Sequence, residues 1–250
     1  MLANLDVSQS AATLEVKPPE CPIDGMYLIH KALRVEAARI EEMARTINEG
    51  CSLQPIIGAF NSWAAALAFH AEQEDAYMTA HMPDFPPARV NESEHKELGV
   101  LLGDLGALME KGDHRTMKTC VKDALVALQE EQHEHLVERL EDVMEVLNGE
   151  IGHTRVVART QRHLFRCLVS LRVAQDDHLE CEEEFVLPEI RETFDEAAQL
   201  EMIRTLLIDD QAQDPMWVME WVSQRLFLEE RGYLQELAAR FAPVDSAKAL

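Results

Sequence analysis

Two short patterns of one kind constrain this chain more than anything else in it. In Asp176-Asp177-His178-Leu179-Glu180-Cys181-Glu182 a histidine and a glutamate stand four residues apart, and Phe69-His70-Ala71-Glu72-Gln73-Glu74 repeats the spacing. On an α-helix, residues four apart share a face, one turn from each other. An imidazole and a carboxylate so placed can grip one cation together. One such pair says little, because His and Glu often meet this way on solvated helix faces. Two pairs in one chain, each late in its segment with a proline beyond it, point to a two-metal centre built from facing helices. Proline lacks the N–H that continues a helix, so Pro188 is expected to stop the second segment.

The surrounding residues sharpen this reading. Phe60, Trp63, Leu67 and His70 recur at spacings of three to four, which puts His70 on the apolar stripe of a helix that starts at Pro55. A buried imidazole needs a partner, and a buried carboxylate more so. A metal would satisfy His70 and Glu74 together, and this donor pair suits iron, manganese or zinc. The preceding helix opens at Asp24-Gly25, carries Leu28, Ala32, Val35 and Ala38 as its stripe, and is expected to end at Gly50. His30 lies near its start. Counted from the turn near Cys51, His30 and His70 are each about 20 residues away, so at roughly 1.5 Å rise per residue they reach similar depth in an up-down bundle. His30, His70, Glu74, His178 and Glu182 are therefore the candidate metal ligands, in the kind of bundle core where such sites are built. Glu180, Glu183 and Glu184 are expected on other, solvated faces, and Cys181 against a neighbouring helix.

Elsewhere the chain reads as helix broken by short connectors. Residues 1–22 are polar, end in Lys17-Pro18-Pro19-Glu20-Cys21-Pro22, and are expected to form a mobile arm. Two amphipathic segments, one around His95 to Met109 and one around His133 to Leu147, lie between the two motifs. A long helix runs from between Thr154 and Thr160 to about Glu184. Three shorter helices follow, over Ala197–Ile208, from Asp214-Pro215, and over Glu229–Phe241, with Trp217 and Trp221 placed to meet a partner or a second copy in a homodimer. No strand pattern, phosphate loop or nucleophile elbow is present, and no Gly-x-Gly-x-x-Gly. The sequence thus predicts an all-α protein with residues 23–190 as a bundle, about 85–128 as an insertion, and 191–250 as an extension packed on it.

Composition removes other classes. Lys and Arg total 23 against 46 Asp and Glu, a formal charge of −23. That disfavours nucleic acid or an anionic membrane as partners. No apolar run approaches the roughly 20 residues that span a bilayer. Five scattered cysteines without a Cys-x-x-Cys fit a reduced, cytoplasmic compartment.

With Ile29-His30-Lys31, Phe69-His70-Ala71-Glu72-Gln73-Glu74 and His178 through Leu187-Pro188, the chain resembles the hemerythrin-like HHE cation-binding family over roughly residues 26–190. The resemblance implies an antiparallel four-helix bundle holding two non-haem iron ions, with O2, NO or peroxide as the small ligand. It also implies a third-helix histidine. Its distance from the second motif favours His95, whereas its distance from the fourth helix and the chain direction favour His133. His133 is taken as the ligand, with His95, His135, Glu130 and Glu134 as alternatives. Val137 stands where a second histidine of that helix would be, so the site of the oxygen-carrying members is not fully reproduced. Enzyme, sensor and carrier all remain open at this level. So do a ferritin-like iron oxidase or store and a metal-independent helical interaction module.

Overall fold

A computed structural model describes residues 16–48, 51–52, 54–89 and 158–241. Every regular element among them is helical. The α-helices are α1 (Gly25–Thr46), α2 (Gln54–Tyr77), α3 (Ala158–Cys181), α4 (Leu187–Thr193), α5 (Glu196–Leu207), α6 (Trp217–Ser223) and α7 (Leu228–Ala238). A π-helical segment, Glu182–Val186, joins α3 to α4. No helix among the described residues is long and apolar enough to cross a membrane.

α1 is the central helix. It packs against α2, α3, α6 and α7, so it is buried on more than the one stripe its periodicity predicts. Leu28, Ile29, Ala32, Leu33, Ala37 and Ile40 are buried, and so are Lys31 and Glu36. Val35 and Ala38, expected on the core stripe, are only half-buried. The helix ends at Thr46, four residues before the expected stop at Gly50, with Ile47 in extended conformation.

The three long helices are held in register by specific contacts. Trp63 Nε1 on α2 donates to Gln175 Oε1 on α3 at 2.8 Å, with both side chains buried. Such a bond is expensive to break, because an unsatisfied buried polar atom costs about 1–3 kcal/mol. Trp63 precedes His70, and Gln175 precedes Glu182, by the same seven residues, so the bond aligns the two motifs at one depth. Between α1 and α3, Arg172 bonds Glu41 at 2.7 Å, and within α3 it bonds Asp176 at 2.9 Å. His30, early in α1, meets residues late in both α2 and α3. α1 is therefore antiparallel to both, and α2 and α3 run parallel to each other.

Several expectations are refined here. Pro188 does not stop the helix; it sits in the first turn of α4, which follows the π segment without interruption. Proline's ring normally collides with the preceding turn, and the wider π turn accommodates it. Of the N-terminal arm expected over residues 1–22, residues 1–15 lie outside the described residues, and the rest is tied down: Val16 N donates to Glu230 Oε1 at 3.0 Å, and the Asp24 carboxylate accepts from the Glu20 and Cys21 N–H groups and from Arg191. Trp217 and Trp221, expected to meet a partner or a second copy, also make contacts within the chain, which leave that expectation untested. Trp221 Nε1 donates to Ser62 Oγ at 2.9 Å, and Trp217 Nε1 to Asp209 Oδ2 at 3.0 Å while its ring stands edge-on to Phe69. Cys181 is exposed rather than packed on a neighbouring helix.

The C-terminal helices lie close to the start of α1. A side-chain carbon at Gly25 would come within 2.6 Å of Leu237 and 2.8 Å of Ile203. Only the missing side chain lets α5 and α7 approach this closely.

Candidate metal centre

α1, α2, α3 and the π-helical segment bring five of the predicted ligands together at one end of these helices. His30 (0% exposed), His70 (2%), Glu74 (0%) and Glu182 (1%) are buried, and the His178 side chain is 8% exposed. His30 Nε2 lies 3.3 Å from Glu182 Oε2, and His70 Nε2 lies 4.0 Å from the same oxygen. His70 Nε2 is also 3.6 Å from Glu74 Oε2. His178 Nε2 approaches the other Glu182 oxygen, Oε1, at 2.9 Å. The His30 and His70 rings meet edge to face with centroids 5.3 Å apart.

These separations are also those of ligand atoms around a cation. Donor atoms each roughly 2.1 Å from one transition-metal ion stand about 3 to 4 Å apart. One ligand atom each from His30, His70 and Glu182 lies within 4.8 Å of the other two. Two buried carboxylates, Glu74 and Glu182, both face His70, and Glu182 also faces His30 and His178. Burying such charges costs several kcal/mol per ion unless something positive compensates. Imidazole nitrogen and carboxylate oxygen together form a donor set for iron, manganese or zinc, and the residues present fit such an ion.

The local electrostatics show what the imidazoles do by themselves. Burial pushes the Glu182 carboxyl up, but His178, His30 and His70 outweigh it and hold it well below the usual carboxylate range. Burial pulls the His30 imidazole down, and its bonds to Glu182 and Glu183 overcome this and raise it. The pocket is thus strongly attractive to positive charge.

Glu183 was expected on a solvated face. It lies beside His30 instead: His30 Nδ1 is 2.8 Å from Glu183 Oε1, which Arg34 also reaches at 2.6 Å. The π-helical segment starts at Glu182, and its wider turn sets consecutive glutamates around one ring. A proline embedded in a continuing helix six residues after Glu182 was the signal in the sequence for this irregularity. Glu180 and Glu184 are exposed as expected. The residue expected as the third-helix ligand, His133, and its alternatives His95, His135, Glu130 and Glu134 lie outside the described residues.

A family model described as the hemerythrin HHE cation binding domain matches residues 21–136. The match contains His30, His70 and Glu74 and ends before α3 begins, so the geometry, rather than the match, adds His178 and Glu182 to the group. No match was found among the curated proteins or among the solved structures.

Proposed function

We propose that this chain, hemerythrin-like in sequence over residues 21–136, is a non-haem di-iron protein that binds, senses or removes a small oxidant such as O2, NO or peroxide. The observation that carries the two-metal reading is the orientation of Glu182. Its Oε2 faces His30 and His70, and its Oε1 faces His178. A carboxylate that presents its two oxygens to separate imidazole groups is placed to bridge two cations. His30, His70 and Glu74 would hold one ion with Glu182 Oε2. His178 would hold the other with Glu182 Oε1 and a third-helix residue, for which we retain His133.

Bound iron would supply open coordination positions and electrons for a small oxidant. The chain supplies the rest. The buried walls around His30, His70 and Glu74 keep bulk water from the donors. The Trp63–Gln175 bond and the α1–α3 ion pairs hold three helices at fixed separation, so the donor spacing is set before any ion arrives. Two buried carboxylates offset the charge of the ions.

The test is metal content per chain by mass spectrometry after anaerobic loading of the full chain with Fe(II), with absorption spectra before and after exposure to air. The expected result is about two irons per chain and charge-transfer bands in the near ultraviolet and visible that appear with air. A chain that folds well yet takes up no iron would leave the likeness as one of fold alone.

A further inference from the structure

We propose that Glu183 is a positioning residue for the metal centre: it fixes the tautomer and ring orientation of His30 so that Nε2 faces the cation. This rests on the metal-centre reading above and assigns a role to a residue beyond the ligand set.

Three observations carry it. Arg34 and His30 converge on one oxygen, Glu183 Oε1, at 2.6 and 2.8 Å. An oxygen that accepts from a guanidinium belongs to an ionised carboxylate, which can only accept. His30 Nδ1 therefore carries a proton and donates it to Glu183, which leaves Nε2, 3.3 Å from Glu182 Oε2 on the far side of the ring, as the nitrogen that a cation would take. The other tautomer would set the Nδ1 lone pair against the Glu183 oxygen.

Second, Glu183 is itself anchored. Arg34, 12% exposed, also approaches Asp176 at 3.7 Å, and Asp176 is held by Arg172 at 2.9 Å. The positioning group is thus the inner end of a chain of alternating charges that runs along the α1–α3 interface to Glu41. Third, the π-helical segment places Glu182 and Glu183 at opposite nitrogens of the same imidazole. Glu182 takes the metal side, and Glu183 takes the outer side, where it lines a cavity of about 420 Å³ with Arg34, Lys31 and Arg191. A ligand imidazole held through its other nitrogen is more basic and better oriented, and losing the partner typically weakens metal binding by about 10- to 100-fold.

A plain structural role, an ion pair that ties the π-helical segment to α1 through Arg34, makes a different forecast. The experiment compares Zn(II) affinity of the full chain, by competition with a chromophoric chelator, in wild type, Glu183→Ala, Glu183→Gln and His30→Ala. Nitrogen-15 histidine spectra of the Zn(II)-loaded forms and melting curves of the metal-free forms accompany it. Glu183→Ala should weaken Zn(II) binding by about 10- to 100-fold and lose a slowly exchanging imidazole N–H resonance that is also absent in His30→Ala. Glu183→Gln, whose amide oxygen accepts the same bond but cannot form the ion pair, should keep the resonance and most of the affinity. Wild-type affinity in Glu183→Ala, or equal losses in the Ala and Gln variants, would overturn the proposal while the metal centre stands. Wild-type affinity in His30→Ala would remove the centre itself, and the proposal with it.

Discussion

On the side of α1 that faces α6 and α7, Glu36 meets Arg39 at 2.9 Å and Arg225 at 3.0 Å, and Lys31 meets Glu230 at 2.5 Å. Glu230 further accepts from the Val16 and Phe227 N–H groups, and the Lys31 ammonium sits over the Phe227 ring. Here each buried acid is answered by fixed cations and backbone donors. On the side that faces α2 and α3, Glu74 and Glu182 lie against imidazoles. Lysine and arginine carry permanent charge and finish an ion pair. Imidazole lends itself to neutral metal ligation. The first side is a structural clamp of fixed charges, and the second is the side that, on the reading proposed above, takes a cation from outside. The same helix does both, because residues 30 and 31 point to different neighbours.

Substitutions should separate the two sides. The largest effect is expected at the imidazole side: Glu182→Ala, which removes the shared carboxylate, and His70→Ala should each strip most of the bound metal, measured per chain by mass spectrometry. Wild-type metal content in both would dissolve the distinction. At the clamp, Glu230→Ala leaves Lys31 buried and unpaired, so it should cost about 3–5 kcal/mol of stability in denaturant unfolding, with metal stoichiometry unchanged in the folded fraction. A smaller loss is expected at Gly25→Ala, where the new methyl group meets Leu237 and Ile203; overpacking of this kind costs about 1–3 kcal/mol, visible as a lower melting temperature.

The smallest effect concerns pH. Burial pushes the Glu36 carboxyl up, but Arg39 and Arg225 more than offset this and leave it below its ordinary value. A carboxylate depressed in the folded state contributes its stability above the unfolded value, about 4.3. It loses that contribution as the pH falls through the lower folded value. The stability gap between wild type and Glu36→Gln should therefore be widest near neutrality and close on acidification below that point. A gap that widened instead would mean Glu36 is not held as an ion pair.

The parts of this arrangement that follow a helical period were legible in the sequence. His70 and Glu74, and His178 and Glu182, follow from a four-residue spacing on apolar stripes, and the level of His30 follows from helix length. The clamp was not legible, because Lys31 and Glu230 are 199 residues apart and each looks like an ordinary surface residue. Nor was Glu183: an ideal α-helix turns it away from Glu182's face, and only the π-helical segment carries it back to His30. That same segment explains why Pro188, read as a stop, lies inside a helix that goes on. The third-helix ligand that the resemblance implies could not be fixed by spacing, since His95 satisfies one distance and His133 the other.

The most direct test of the account is an anomalous-scattering map at the iron edge from crystals of the full chain loaded with Fe(II). The account predicts one peak among His30, His70, Glu74 and Glu182 Oε2, and a second between Glu182 Oε1 and His178, with none at the Lys31–Glu230 or Glu36–Arg225 pairs. No peak at Glu182, or iron bound only elsewhere on the acidic surface, would contradict it.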